Sequence, residues 1–174
     1  MPQRSLPEES ADGSRILAVD YDQTRAVLAA FEREGVQYVI FGGVALNLQG
    51  LARATEDLDV FVAPTPENVE RLRTALMSVF QDPHIAEITA EDLLGNYPAV
   101  QYVPPDGSFH VDILTRLGSA FSYEDLESER VDFDGLEVSV VTPGTLYRMK
   151  KDTVRPRDRA DADRLRQRFG FEGE

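Results

Sequence analysis

The chain has 174 residues, 42% of them hydrophobic and 28% charged, and a formal net charge of −13. That is material for one globular domain with a sizeable core and too little for two ordinary ones. So acidic a chain weighs against a grip on long polyanions, which takes a basic surface, and the absence of cysteine removes disulfides, thiolate metal sites and thiol nucleophiles.

Residues 1–18 are polar, with two prolines and little periodicity, and read as a flexible arm ahead of a single domain over residues 19–174. The arm lacks the apolar core of a signal peptide, and no run approaches the ~20 residues of a membrane span; a cytoplasmic protein with no membrane contact is expected. A helix is predicted from Asp20, with Val27, Leu28 and Phe31 on one face, Asp20 or Asp22 as N-cap and Gly35 as stop. Val36 to Phe41 is apolar enough for a central strand. Gly42 and Gly43 turn the chain, Val44 to Leu48 suits a short helix, and a second β-type run carries Asp57 and Asp59.

Thr65 is expected to cap a helix with Pro66 at its first position and Val69, Leu72, Leu76 and Val79 on one face, broken at Asp82-Pro83. A short strand at His84 to Ile88 and a helical turn from Ala90 to Leu94 follow. Ala99 to Val103 and Phe109 to Leu114 read as strands around the turn Pro104-Pro105-Asp106-Gly107. Val131 to Phe133 and Leu136 to Val141 read as a hairpin turning at Asp134-Gly135. Thr142-Pro143 opens a helix through Leu146 and Met149; Pro156 opens another with Ala162, Leu165 and Phe169 on one face. The fold class is α/β (α+β): a mixed, mostly antiparallel sheet flanked by helices, with helices at the C-terminus.

In a strand Asp57 and Asp59 point one way and Leu58, Val60 and Val62 the other. Paired carboxylates repel, and a bound divalent cation is the usual reason to hold them together; a solvated edge strand with two exposed acids is the plainer reading. Asp112 sits between Val111 and Ile113 as Asp59 sits between Leu58 and Val60, so all three acids can share one side of a sheet. Oxygen ligands alone favour Mg²⁺ or Mn²⁺ over zinc. Gly42 and Gly43 let a ligand approach the backbone, and the N–H groups of the next helix start can receive phosphate oxygens, although a plain tight turn accounts for them too. Arg53 and Thr55 are candidates to assist; a surface arginine and a strand threonine explain them nearly as well. His84 and His110 are the only histidines, and His110 belongs on the side of Asp112. Without a Gly-x-Ser-x-Gly turn, Ser-His-Asp catalysis has no support.

Gly42-Gly43, then Asp57-Leu58-Asp59, then Asp112 in FHVDIL resemble the nucleotidyltransferase superfamily, with the fold shared by kanamycin-type enzymes and the core of DNA polymerase beta. The Gly-Gly form with Arg53-x-Thr55 is most similar to the abortive-infection (AbiEii-type) toxin branch. The resemblance implies a nucleoside monophosphate moved from an Mg²⁺–NTP to an acceptor hydroxyl, with loss of pyrophosphate. Asp57 and Asp59 would be shared metal ligands, and Asp112 would hold a second ion and assist loss of the acceptor proton. Many relatives place Ser where Gly43 stands, so phosphate grip here would rest on backbone and basic groups. Lys150, Arg155, Asp158 and Asp161 match a C-terminal pattern of that branch, with Lys150 facing the triphosphate; a solvated helix with pairs such as Arg157 and Asp161 is the alternative. Partners would be an NTP, an acceptor that is a small molecule, a protein or a tRNA end, and an antitoxin-like protein. A non-catalytic, nucleotide- or partner-binding member of the fold is the alternative function.

Overall fold

The computed structural model describes residues 17–18, 21–95, 98–107 and 109–171. Among the described residues the strands are β1 (Leu17–Ala18), β2 (Tyr38–Phe41), β3 (Ala54–Thr55), β4 (Asp57–Val62), β5 (Ala99–Tyr102), β6 (His110–Leu114), β7 (Arg116–Leu117), β8 (Phe121–Ser122), β9 (Ser128–Phe133) and β10 (Leu136–Val141). The helices are α1 (Tyr21–Glu34), α2 (Gly42–Leu48), α3 (Pro66–Phe80), α4 (Ala90–Leu94), α5 (Pro143–Lys151) and α6 (Pro156–Phe169).

A six-stranded sheet runs in the order β5-β6-β4-β2-β10-β9. β2 and β4 are antiparallel, β4 and β6 parallel, β5 and β6 antiparallel, β2 and β10 parallel, and β9 and β10 antiparallel. This is the mixed sheet expected from the pattern of runs. Alternation in β4 buries Leu58, Val60 and Val62 completely, in one cluster with Val27, Leu28 and Phe31 of α1 and Val69, Leu72 and Leu76 of α3. α1 packs against α3, and α5 against α6.

The caps are those the residue types favour. Thr65 Oγ1 accepts from the Asn68 amide at 3.2 Å, with Pro66 opening α3, and Thr142 Oγ1 accepts from the Thr145 amide at 3.3 Å ahead of α5. Asp134 and Gly135 both take positive φ between β9 and β10, as a two-residue hairpin turn of this twist requires.

Three expectations need correction or limits. Pro83–Glu87 is a 3₁₀ turn rather than a strand: the Asp82 side chain accepts from the His84 amide at 3.0 Å and closes the chain locally. Asp22 lies inside the first turn of α1, where its charge suits the helix dipole, and is not the cap; Asp20 lies outside the described residues. So does most of the N-terminal arm, of which Leu17–Ala18 pair in parallel with Ala54–Thr55. No helix among the described residues is long and apolar enough to cross a membrane.

Candidate active site

The parallel register of β4 and β6 sets Asp59 directly opposite Asp112 and Asp57 directly opposite His110. The antiparallel register of β5 and β6 then sets Gln101 opposite Asp112. Five polar side chains on three adjacent strands therefore meet on one face of the sheet. The sequence pattern anticipated the three acids and the side on which His110 lies. Nothing in the sequence marks Gln101, because its face depends on a hairpin register that a one-residue slip would reverse.

The acids are crowded. Burial, then the Asp112 carboxylate, push the Asp59 carboxyl up to about 8, and burial followed by Asp112 also raises Asp57. Removing a carboxylate from water and adding a like charge both disfavour its ionised form. Gln101 Nε2 donates to Asp112 Oδ1 at 3.0 Å. His110 Nδ1 stands 3.0 Å from Asp57 Oδ1.

The glycine turn lies against this strand. Gly42 has φ +71°, and a Cβ there would come within 2.2 Å of Asp59 Oδ2. A Cβ on Gly43 would meet Thr55 Cβ at 2.7 Å. Both glycines are thus required by the packing of Asp59 and Thr55 over the turn. α2 starts at Gly42 without a side-chain cap.

Basic groups form the other side. Lys150 is only 8% exposed, and its Nζ donates to Asp158 Oδ1 at 3.1 Å and Asp161 Oδ2 at 3.0 Å. Arg53 Nη1 also pairs with Asp161, while the Arg53 backbone is held by buried Asn47 at 2.8 and 2.9 Å. Asp161 is 3% exposed, so the solvated-helix reading of this segment does not hold; Arg157 Nη2 donates to the Ala54 carbonyl instead of pairing with Asp161. His84 is remote from the acids, beside Glu87 on the 3₁₀ turn.

A cleft of about 1120 Å³ joins the two sides. Gly42, Gly43, Arg53, Thr55, Asp57, Asp59, Asp112 and Lys150 all line it, together with Glu56, Gln101, Arg155, Arg157 and Asp158. Among the described residues no group of three or more acidic or histidine side chains stands as a ready-made cation cage. The residues present nevertheless suit a small hard cation. Their donors are oxygens, and two carboxyls face each other across paired strands.

The family model described as "Nucleotidyl transferase AbiEii toxin, Type IV TA system" matches residues 26–171. A comparison with curated proteins finds no match. Among solved structures, the lincosamide antibiotic adenylyltransferase LnuA, lincomycin-bound, superposes with a TM-score of 0.56 at 11% identity, over 84% of this chain and 96% of that one. ANT(2")-Ia in complex with adenylyl-2"-tobramycin gives 0.51 at 14% identity, over 84% and 87%. TM1012 from Thermotoga maritima, assigned to the nucleotidyltransferases, gives 0.51 at 16% identity, over 84% and 90%. At such identities these likenesses show the fold, which is that of the nucleotidyltransferases. The family match runs through the glycine turn, all three acids and the Lys150–Asp161 network, and the chain belongs to the AbiEii nucleotidyl transferase toxin family.

Proposed function

We propose that this protein transfers a nucleoside monophosphate from an NTP to an acceptor hydroxyl, with Mg²⁺ or Mn²⁺ as cofactor. The observation that carries the reading is the strand register that stands Asp57, Asp59 and Asp112 side by side on the floor of one cleft. Asp57 and Asp59 would hold the cation that accompanies the nucleotide, with Asp112 contributing on the acceptor side. Mg²⁺ is ordinarily bound by one or two carboxylates plus substrate phosphates, so a triphosphate would complete a shell that the protein leaves open. The bound cation would supply charge stabilisation to the phosphoryl group in transfer.

The remaining work falls to the chain. The Gly42–Gly43 turn lines the cleft with its backbone, and Arg53, Thr55 and Lys150 border it as nucleotide-binding groups. Lys150 and Arg53 are already paired with acids, so their part is to fix the basic wall in place as well as to lend it charge. Asp112 accepts the acceptor's hydroxyl proton as the new O–P bond forms and the bond to the leaving pyrophosphate breaks.

The solved relatives named for lincomycin and adenylyl-tobramycin support a small hydroxylated acceptor. The net charge of −13 also favours a small molecule over a long RNA, while a tRNA end or a protein remains the other class of acceptor. The type IV toxin–antitoxin family supports an antitoxin protein as partner.

The test is Asp112→Asn, nearly isosteric and without the charge. It is expected to bind NTP and to release pyrophosphate at least about a hundredfold more slowly with a competent acceptor. Turnover at the wild-type rate would remove Asp112 from catalysis. NTP binding without turnover in the wild type, across antibiotics, proteins and tRNA, would favour the non-catalytic reading.

A further inference from the structure

Two non-acidic residues stand at register positions opposite the acids, and the chemistry above does not use them. His110 is the cross-strand partner of Asp57, and Gln101 that of Asp112. In each pair a nitrogen faces Oδ1 at 3.0 Å, His110 Nδ1 in one and Gln101 Nε2 in the other. For Asp57 the two oxygens are unlike: Oδ1 is buried, yet the side chain as a whole is 38% exposed. The exposed part of that side chain therefore lies on its other atoms, Oδ2 among them.

We propose that His110 and Gln101 are positioning residues, each holding Oδ1 of one acid so that Oδ2 is the oxygen offered to the cleft. An unheld carboxylate rotates freely about its last bond, and two such groups beside Asp59 would turn away from one another to lessen repulsion. A donor on Oδ1 fixes the rotation and offsets part of the charge. Partners of this kind commonly change metal affinity by about 10–100-fold when removed. At this approach the contact becomes a hydrogen bond once His110 Nδ1 carries the proton and the ring turns to align it, so the neutral ring suffices. The proposal rests on the metal reading above for its consequence, but the His110 contact can be tested without metal.

Three measurements on the full chain decide it: Mn²⁺ titration followed by electron paramagnetic resonance without nucleotide, melting temperature, and long-range ¹H–¹⁵N spectra of His110 in mildly alkaline buffer. His110→Leu and Gln101→Leu are each expected to weaken Mn²⁺ binding about tenfold or more, with melting temperature nearly unchanged. His110→Asn sets an amide nitrogen near the place of Nδ1 and is expected to keep most of the affinity. The spectra should show the proton on Nδ1. Leucine variants that bind Mn²⁺ as the wild type does, or an Asn variant as weak as the Leu variant, overturn the proposal. A proton on Nε2 alone overturns the His110 contact whatever the metal does. A wild type that binds no Mn²⁺ while keeping the Nδ1 proton overturns the metal reading and the positioning role with it, and leaves the contact itself standing.

Discussion

Asp59 and Gly42 compete for the same few cubic ångströms. With Asp59 Oδ2 only 2.2 Å from where a Cβ at position 42 would stand, and φ at +71°, Gly42→Ala must displace the acid and adopt a left-handed backbone. Together these are expected to cost about 2–4 kcal/mol, from overpacking and from the unfavourable φ. Asp59→Ala in the same chain removes the carboxylate but leaves the φ, so the double variant should recover part of the loss. Urea unfolding of the four proteins measures that coupling; strictly additive effects would mean that the acid is not what keeps the position bare. Gly43 answers to Thr55 in the same way, so a larger residue there should cost folding and not ligand binding alone.

At the level of elements, the apolar runs and their punctuation were plain in the sequence. Thr65-Pro66, Thr142-Pro143 and Asp134-Gly135 mark α3, α5 and the β9–β10 hairpin because cap and turn chemistry is local. The segment His84 to Ile88 has the residue pattern of a strand, and the decisive feature of the 3₁₀ turn at Pro83–Glu87, the Asp82 carboxylate accepting from the His84 amide, leaves no periodic trace. The Lys150 network was legible only by likeness. Nothing in RPRDRADADRL says that Asp161 is buried between a lysine from α5 and an arginine from residues ahead of β3. From that burial, Asp161→Ala should lower stability by about 3–5 kcal/mol, since it strips a partner from two enclosed cations. Lys150→Met should cost less, because Asp161 keeps Arg53. Thermal or urea denaturation ranks the two, and the reverse order would place the linchpin on the lysine.

Across the whole molecule, one ionic cluster ties the helical layer to the far edge of the sheet. Glu32 of α1 accepts from Tyr38 Oη of β2 at 2.6 Å and from Arg130 Nη1 of β9 at 2.8 Å. Burial opposes the charge on Glu32, but the bonds from Arg130 and Tyr38 prevail and hold its carboxyl below the ordinary value of 4.5. A depressed carboxyl stabilises the fold above its unfolded pKa, and that stability is lost as pH falls through the lower, folded one. Glu32→Gln should therefore melt below the wild type at neutral pH, and the gap should close as pH drops well under 4.5. A gap that stays constant through that range would leave the glutamate with a packing role only. The −13 net charge acts in the opposite direction, because protonating carboxylates relieves self-repulsion as the pH falls, and comparison with Glu32→Gln at each pH sets most of that shared contribution aside.

The mutual exclusion at Gly42 also bears on descent. As long as a lineage keeps the acid at 59, selection on the fold itself forbids any side chain at 42, whether or not that lineage still needs the reaction. Once the acid is lost, the position keeps only its left-handed backbone, which asparagine tolerates better than most residues. Decay should then run in a fixed order, acid first and glycine later. A descendant carrying asparagine at the first turn position could be recognised, from its sequence alone, as one that had already given up its chemistry.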